Sequence, residues 1–193
     1  MRVAKINNMT KETHISLELN IDGNGVFTGT SGIGFFDHML NLLAYHSGMD
    51  IHLNADGDLN VDNHHTVEDI GIALGDAFYQ AIGDKKGINR YGCFFCPMDD
   101  VLSRIVVDVS GRSYFVYDVE IPVERIGGFE TETVREFFLA FSGHAGVNLH
   151  MACLYGINAH HIVESLFKGV GRALSEAVLQ KYGREIPSTK GVL

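Results

Sequence analysis

The stretch DNHHTVEDIGIALG, residues 62–75, sets two adjacent histidines and a glutamate at the head of an apolar, helix-like run. NAHHIVESLFKGVGRAL, residues 158–174, repeats the arrangement ninety-six positions later. His64-His65-Thr66-Val67-Glu68 matches His160-His161-Ile162-Val163-Glu164, and Gly75 and Ala77 fall on Gly171 and Ala173 with the same offset. Upstream, Phe36-Asp37-His38 is set beside Ser142-Gly143-His144, each at the end of an aromatic stretch. An internal repeat constrains a fold more than any local signal, and two copies point to one pseudo-symmetric domain instead of a solenoid. The expectation is one domain over 1–193 in the α+β class. Its halves, about 1–88 and 89–193, would each be a mostly antiparallel sheet with two helices packed on it.

The repeat unit reads as strand–strand–helix–strand–helix. In the first half, THISLELNI alternates as a strand, DGNG at 22–25 signals a hairpin turn, and VFTGTSG follows as its second strand. Helical spacing covers 34–48, with Gly48 as its cap, and a strand precedes a helix over about 64–82. In the second half, two or three strands over 91–121 break at Asp99-Asp100 and at Ser110-Gly111-Arg112. Helices are expected over 132–146 and about 160–182, with a strand between them and a loop-like tail at 184–193.

Composition excludes several partners. The formal charge of −9 argues against a nucleic-acid surface or a basic membrane patch. No apolar run reaches the ~18–20 residues of a transmembrane helix. Three cysteines, an odd count with no signal-peptide pattern, suggest a reducing, cytoplasmic setting. The Cys93-x-x-Cys96 pair reads as buried or half-buried free thiols, and His52 and His150 as structural strand residues.

The histidines carry the chemistry. On a helix, i and i+3 or i+4 share a face, so Glu68 can share a cation with His64 or with His65, while the other imidazole turns about 100° away. One element can therefore touch two metals, and two elements facing across a pseudo-twofold axis can ligate a metal pair. His38 and His144 would add one imidazole each, giving eight candidate ligands: His38, His64, His65, Glu68, His144, His160, His161 and Glu164. Imidazole and carboxylate without thiolate suit Mn, Fe or Zn, and an open octahedral site favours Mn or Fe. A dinuclear hydrolase and a closed metal-storage site remain alternatives at this point. On the anion side, Arg90, Arg112, Lys168, Ser188, Thr189 and Lys190 offer cations and hydroxyls suited to a phosphate.

These elements, with FFDHML, GINRYG, SGR and NAHHIVESLFKG, resemble imidazoleglycerol-phosphate dehydratase, from TKETHISLELNIDG to PSTKG. The segment FSGHAGVNLHM departs from the family pattern around His144. The resemblance implies removal of water from imidazole glycerol phosphate to give imidazole acetol phosphate, a step of histidine biosynthesis. It implies two Mn2+ per active site on the eight ligands above. It further implies a 24-subunit assembly with sites between subunits. Glu12 would do acid–base work, with Glu68 and Glu164 also at the reacting centre. The phosphate would rest on Arg90, Arg112, Lys168, Ser188, Thr189 and Lys190, with His46 and Asp99 lining the site. The proton to be removed has no neighbouring carbonyl, so the imidazole ring must accept the electrons. A cation on each ring nitrogen would answer that need.

Overall fold

A computed structural model describes residues 2–181, 185–191 and 193. The first half contains β1 (Val3–Met9), β2 (Thr13–Asn20), β3 (Phe27–Thr30), α1 (Gly34–Ser47), β4 (Asp50–Gly57) and α2 (His64–Ile82). The second contains β5 (Tyr91–Met98), β6 (Val101–Asp108), β7 (Tyr114–Asp118), the short β8 (Arg125–Ile126) and β9 (Phe129–Glu130), α3 (Thr133–Ala145), β10 (Asn148–Tyr155) and α4 (Ala159–Val178). The two four-stranded sheets have orders β1-β2-β4-β3 and β5-β6-β10-β7, the same topology twice. In each, one parallel pair, β3 with β4 and β7 with β10, joins two antiparallel pairs. The fold is α+β with a duplicated half.

Three expectations are corrected. The unit has three strands before its first helix, because β1, not expected from the sequence, pairs along the whole of β2. The turn at 22–25 does not make a hairpin: β4 lies between β2 and β3. The Asp50 carboxylate accepts the backbone N–H groups of Asn24 (2.8 Å) and Val26 (3.1 Å), which anchors this turn to the start of β4. Finally, α4 ends at Val178, not near 182. Position 182 lies outside the described residues, as do 184 and 192 of the expected tail.

The helices exchange partners between halves. α2 lies on the first sheet and α4 on the second, but α1 packs on α4 and α3 on α2. The reason is apolar spacing. Phe36, Met39, Leu40, Leu43, Ala44 and Ser47 are the buried face of α1. Ninety-eight positions on, Val134, Phe137, Phe138, Phe141, Ser142 and Ala145 are buried in α3. All eleven buried positions of α2 recur in α4 at an offset of ninety-six. Phe36, Phe137 and Phe167 meet on this pseudo-axis, with ring centroids 5.2 and 5.4 Å apart across successive pairs. Each such ring contributes roughly 1.5–3 kcal/mol by leaving water. The buried core is one continuous cluster drawn from both halves.

Glycines set the depth of the crossings. A Cβ on Gly75 would lie 2.6 Å from the His144 Cβ, 2.8 Å from the Phe141 oxygen and 3.0 Å from the Ala145 nitrogen. A Cβ on Gly171 would lie 2.9 Å from the Leu43 oxygen, and 3.0 Å from the His46 Cβ and the Ser47 nitrogen. These are the same three atoms under the pseudo-symmetry. His144 is therefore the counterpart of His46, and the sequence pairing of His38 with His144 is corrected. Two left-handed caps confirm the register: Gly48 (φ 74°) ends α1 and Gly146 (φ 63°) ends α3. Glycine takes that conformation without the strain a Cβ brings.

Candidate active site

Each His-His-x-x-Glu element forms the first turns of its helix. The Asn158 side chain accepts the His161 N–H at the head of α4, and Asp62 accepts the His64 N–H at the head of α2 (2.8 Å). His160 and Glu164 then share a face, with Nε2 3.2 Å from Oε2. His64 and Glu68 repeat this at 3.6 Å. From the opposite half, His38 in the first turns of α1 brings its Nε2 to 3.7 Å from Glu164. Ligand atoms of His38, His160 and Glu164 all lie within 4.8 Å of one another. Phe35 braces the His160 ring edge-on at 5.2 Å.

The second histidine of each pair is held by carboxylates from a strand turn. His65 Nδ1 lies 2.9 Å from Asp58 and 3.8 Å from Glu12. His161 Nδ1 lies 2.6 Å from Asp100, and its Nε2 3.7 Å from Asp99. Carboxylates of this kind fix an imidazole's tautomer: an Nδ1–H donated to Asp58 or Asp100 leaves the Nε2 lone pair free to ligate. The bond to His161, followed by two backbone N–H groups from Ile157 and Asn158 at 3.0 Å, holds Asp100 well below the usual carboxylate range. The Asp58 carboxylate raises the His65 pKa. Asp58 and Asp100 were not read from the sequence. Their signal was faint: each stands in a polar turn a few residues before a histidine pair or across a strand from it.

Glu164 is 7% exposed. Burial pushes its pKa up, but the Lys168 ammonium, His160 and His38 outweigh it and hold the carboxylate below its ordinary value. Lys168 pairs with Glu164 and approaches the Met98 sulfur, and it does not line the cavity shared by the other expected phosphate residues. His46 faces α4; burial and then the charges of Lys168 and Arg172 lower its pKa. His144 does not join the ligand cluster of its own chain. Its Nδ1 lies 2.9 Å from Asp76, beside Gly75, eleven residues and so roughly 16 Å along α2 from His64.

The anion residues do converge. Arg90, Arg112, Ser188, Thr189 and Lys190 line one open cavity of about 630 Å³ with Tyr91, Pro187 and Leu193. Arg90 adopts φ 75°, lies over the Tyr91 ring, and grips Asp108 through Nε (2.7 Å) and Nη2 (3.1 Å). Its backbone N–H bonds to Ala177 near the end of α4, whereas His160 stands at the start. The intervening seventeen residues correspond to roughly 25 Å. His52 and His150 are structural, bonded to Thr28 (2.7 Å) and stacked on Tyr114. The cysteines are unpaired; Cys96 is buried, but Cys93 is exposed, against expectation.

Fold and site together define a class: an α+β enzyme of two duplicated halves, with histidine–carboxylate clusters at its helix heads and a basic cavity beside one helix end. The comparisons narrow it. A family model described as imidazoleglycerol-phosphate dehydratase matches residues 31–174. The chain belongs to that family. Relatives bearing that name include one from Nitrobacter hamburgensis, 57% identical and covering 100% of this chain and 99% of its own length. Another, from Clostridium botulinum, is 53% identical, covering 100% and 98%. The crystal structure of the Staphylococcus aureus imidazoleglycerol-phosphate dehydratase is similar with a TM-score of 0.85 at 36% identity, over 93% of this chain and 99% of that one. That of the Pyrococcus furiosus enzyme in complex with (S)-C348 gives 0.82 at 37% identity, over 97% and 100%.

Proposed function

We propose that this chain removes water from imidazole glycerol phosphate to give imidazole acetol phosphate, in histidine biosynthesis, as a metal-dependent lyase. The observation that carries the reading is the meeting of His38, from one half, with His160 and Glu164, from the other, within 4.8 Å. Imidazole and carboxylate donors without thiolate fit Mn2+. The residues that would hold two ions are His38, His64, His65, Glu68, His160, His161 and Glu164; His144, held by Asp76 at 2.9 Å, stands apart from them within one chain. Bound there, the ions would stabilise negative charge on the substrate's ring.

The protein's own groups do the rest. Asp58 and Asp100 orient His65 and His161. The Glu12 carboxylate, 3.8 Å from His65, holds or delivers a proton beside the ring. Arg112, Ser188, Thr189 and Lys190 receive the phosphate, with Arg90 fixed by Asp108 as the wall of their cavity. Lys168 neutralises Glu164.

One imidazole ring, a glycerol chain and a phosphate cannot bridge the length of α4. That separation supports a site shared between copies of the chain, in a homo-oligomer of twenty-four with the phosphate cavity of one copy near the histidines of another. A single domain of two halves in a reducing cytoplasm completes the reading; its support is the continuous core and the three unpaired thiols. Among the described residues no helix is long and apolar enough to cross a membrane. The test is turnover of imidazole glycerol phosphate by the purified protein with Mn2+ and after chelation. Activity restored by Mn2+ is expected; none with Mn2+ present rejects the reading. A particle no heavier than one 21.2 kDa chain would reject the shared site.

A further inference from the structure

We propose that Asp69 is a positioning residue: through the Thr13 hydroxyl it fixes the turn that carries Glu12 to the helix that carries His64, His65 and Glu68. The inference rests on the assignment of proton transfer to Glu12 above. Glu12 is exposed, on the turn between β1 and β2. Among the described residues its carboxylate accepts no hydrogen bond, so its backbone sets where it stands. That backbone is tied twice. The Thr10 hydroxyl oxygen accepts the N–H groups of Glu12 (3.1 Å) and Thr13 (2.9 Å), and the Thr10 N–H bonds to the Thr13 carbonyl at 2.9 Å. Thr13 is 5% exposed, and its hydroxyl donates to the Asp69 carboxylate, one residue past Glu68 on α2. The Thr10 and Thr13 hydroxyl oxygens lie 3.2 Å apart; with the Thr13 proton given to Asp69, Thr10 is the donor between them. One chain of bonds thus links α2 to the turn around Glu12.

The second half shows what the frame alone requires. Val3 faces Asn20 and Tyr91 faces Asp108, so β1–β2 maps onto β5–β6 at an offset of eighty-eight. Val101 then stands where Thr13 does, and Asp100 where Glu12 does. Ser165, ninety-six positions after Asp69, turns its hydroxyl back on the Ile162 carbonyl (2.8 Å). The turn therefore closes there without a tie between a hydroxyl and a carboxylate. Asp100 needs none: its carboxylate accepts the Ile157 and Asn158 N–H groups and meets the His161 Nδ1. In the first half Asp58 holds His65 instead, which leaves the Glu12 carboxylate open to exchange a proton but unanchored. The tie from Thr13 to Asp69 supplies the anchor. It refers the acid to the same rigid helix as the histidine pair, and proton transfer is sensitive to displacements of about 1 Å.

Steady-state kinetics, with bound Mn2+ measured on the purified oligomer, test the proposal. Circular dichroism and particle mass show that each variant folds and assembles. Thr13→Val copies the side chain that the second half carries at this place. Thr13→Val and Asp69→Ala should each lower kcat about 10–100-fold, with KM and metal content unchanged. Thr13→Ser and Asp69→Asn, which keep the donor and the acceptor, should retain most of the wild-type kcat. In a Glu12→Gln background Thr13→Val should lower kcat no further, because the group being placed is gone. Three results overturn the inference while the metal-dependent reading stands: Thr13→Val at wild-type kcat, a loss that persists undiminished in the Glu12→Gln background, or a loss matched by missing metal. If Glu12→Gln keeps the wild-type kcat, the proton-transfer assignment falls and takes the inference with it. If the wild type does not turn over imidazole glycerol phosphate with Mn2+, the functional reading itself fails.

Discussion

At the head of α4 the glutamate is buried, touched by two imidazoles and a lysine. At the head of α2 its counterpart Glu68 keeps 43% of its side chain exposed and touches His64. Backbone, buried face and helix crossing are the same in both. The difference comes from side chains on an otherwise repeated frame: Lys168 against Ile72, His38 against Glu136, and the phosphate-side residues, which all belong to the second half. Duplication supplied two equivalent platforms; substitution on them separated a carboxylate paired with a lysine from one that meets a histidine alone. A substrate with a ring at one end and a phosphate at the other needs that asymmetry.

The comparison can be broken most sharply at the two strand turns. Glu12 stands 3.8 Å from the His65 Nδ1 and Asp99 3.7 Å from the His161 Nε2, and of the two only Glu12 is assigned proton transfer. Glu12→Gln should lower kcat by about 10²–10⁴-fold with metal content unchanged, whereas Asp99→Asn should cost far less. Equal losses in steady-state kinetics would remove the distinction. Next in size, Asp58→Asn and Asp100→Asn should each weaken Mn2+ binding by about 10–100-fold, read by calorimetry. Asp100 should show the larger loss, because it also fixes the loop before α4.

Stability separates the crossings. Gly75→Ala should cost about 1–3 kcal/mol in urea unfolding, and Gly171→Ala less, since the added methyl meets closer neighbours at Gly75. The smallest effect is electrostatic. The Glu164 pKa is lowered on folding, so its contribution to stability is in place above the ordinary glutamate pKa. That contribution fades as pH falls through the lower, folded value. Lys168→Met removes the cation that offsets burial, so the folded pKa should rise and the acid-unfolding midpoint of the metal-free protein should move to higher pH. Ile72→Met, at the other head, should leave that midpoint where it is.

Much of this was legible beforehand because its signals are local. The 3.6-residue apolar period located all four helices, Gly48 marked a left-handed cap, and the repeated pentads marked both helix heads. Two misreadings share one cause. A turn sequence such as DGNG reports that the chain reverses, not which strand it meets afterwards, and here Asp50 made that choice. His144 resembled His38 by its aromatic neighbours, yet it stands at the far end of its helix. Only the crossing register showed that its counterpart is His46.

The amino-acid order by itself determined the duplication, the helix heads, the donor chemistry and the family. Those depend on residue type and on spacing within one turn of helix. Tertiary structure decided which half lends a side chain to which head, that Asp58 and Asp100 clamp the imidazoles, and that cavity and cluster lie at opposite ends of α4. Such facts depend on how apolar faces interlock between segments distant along the chain, and no local period encodes that.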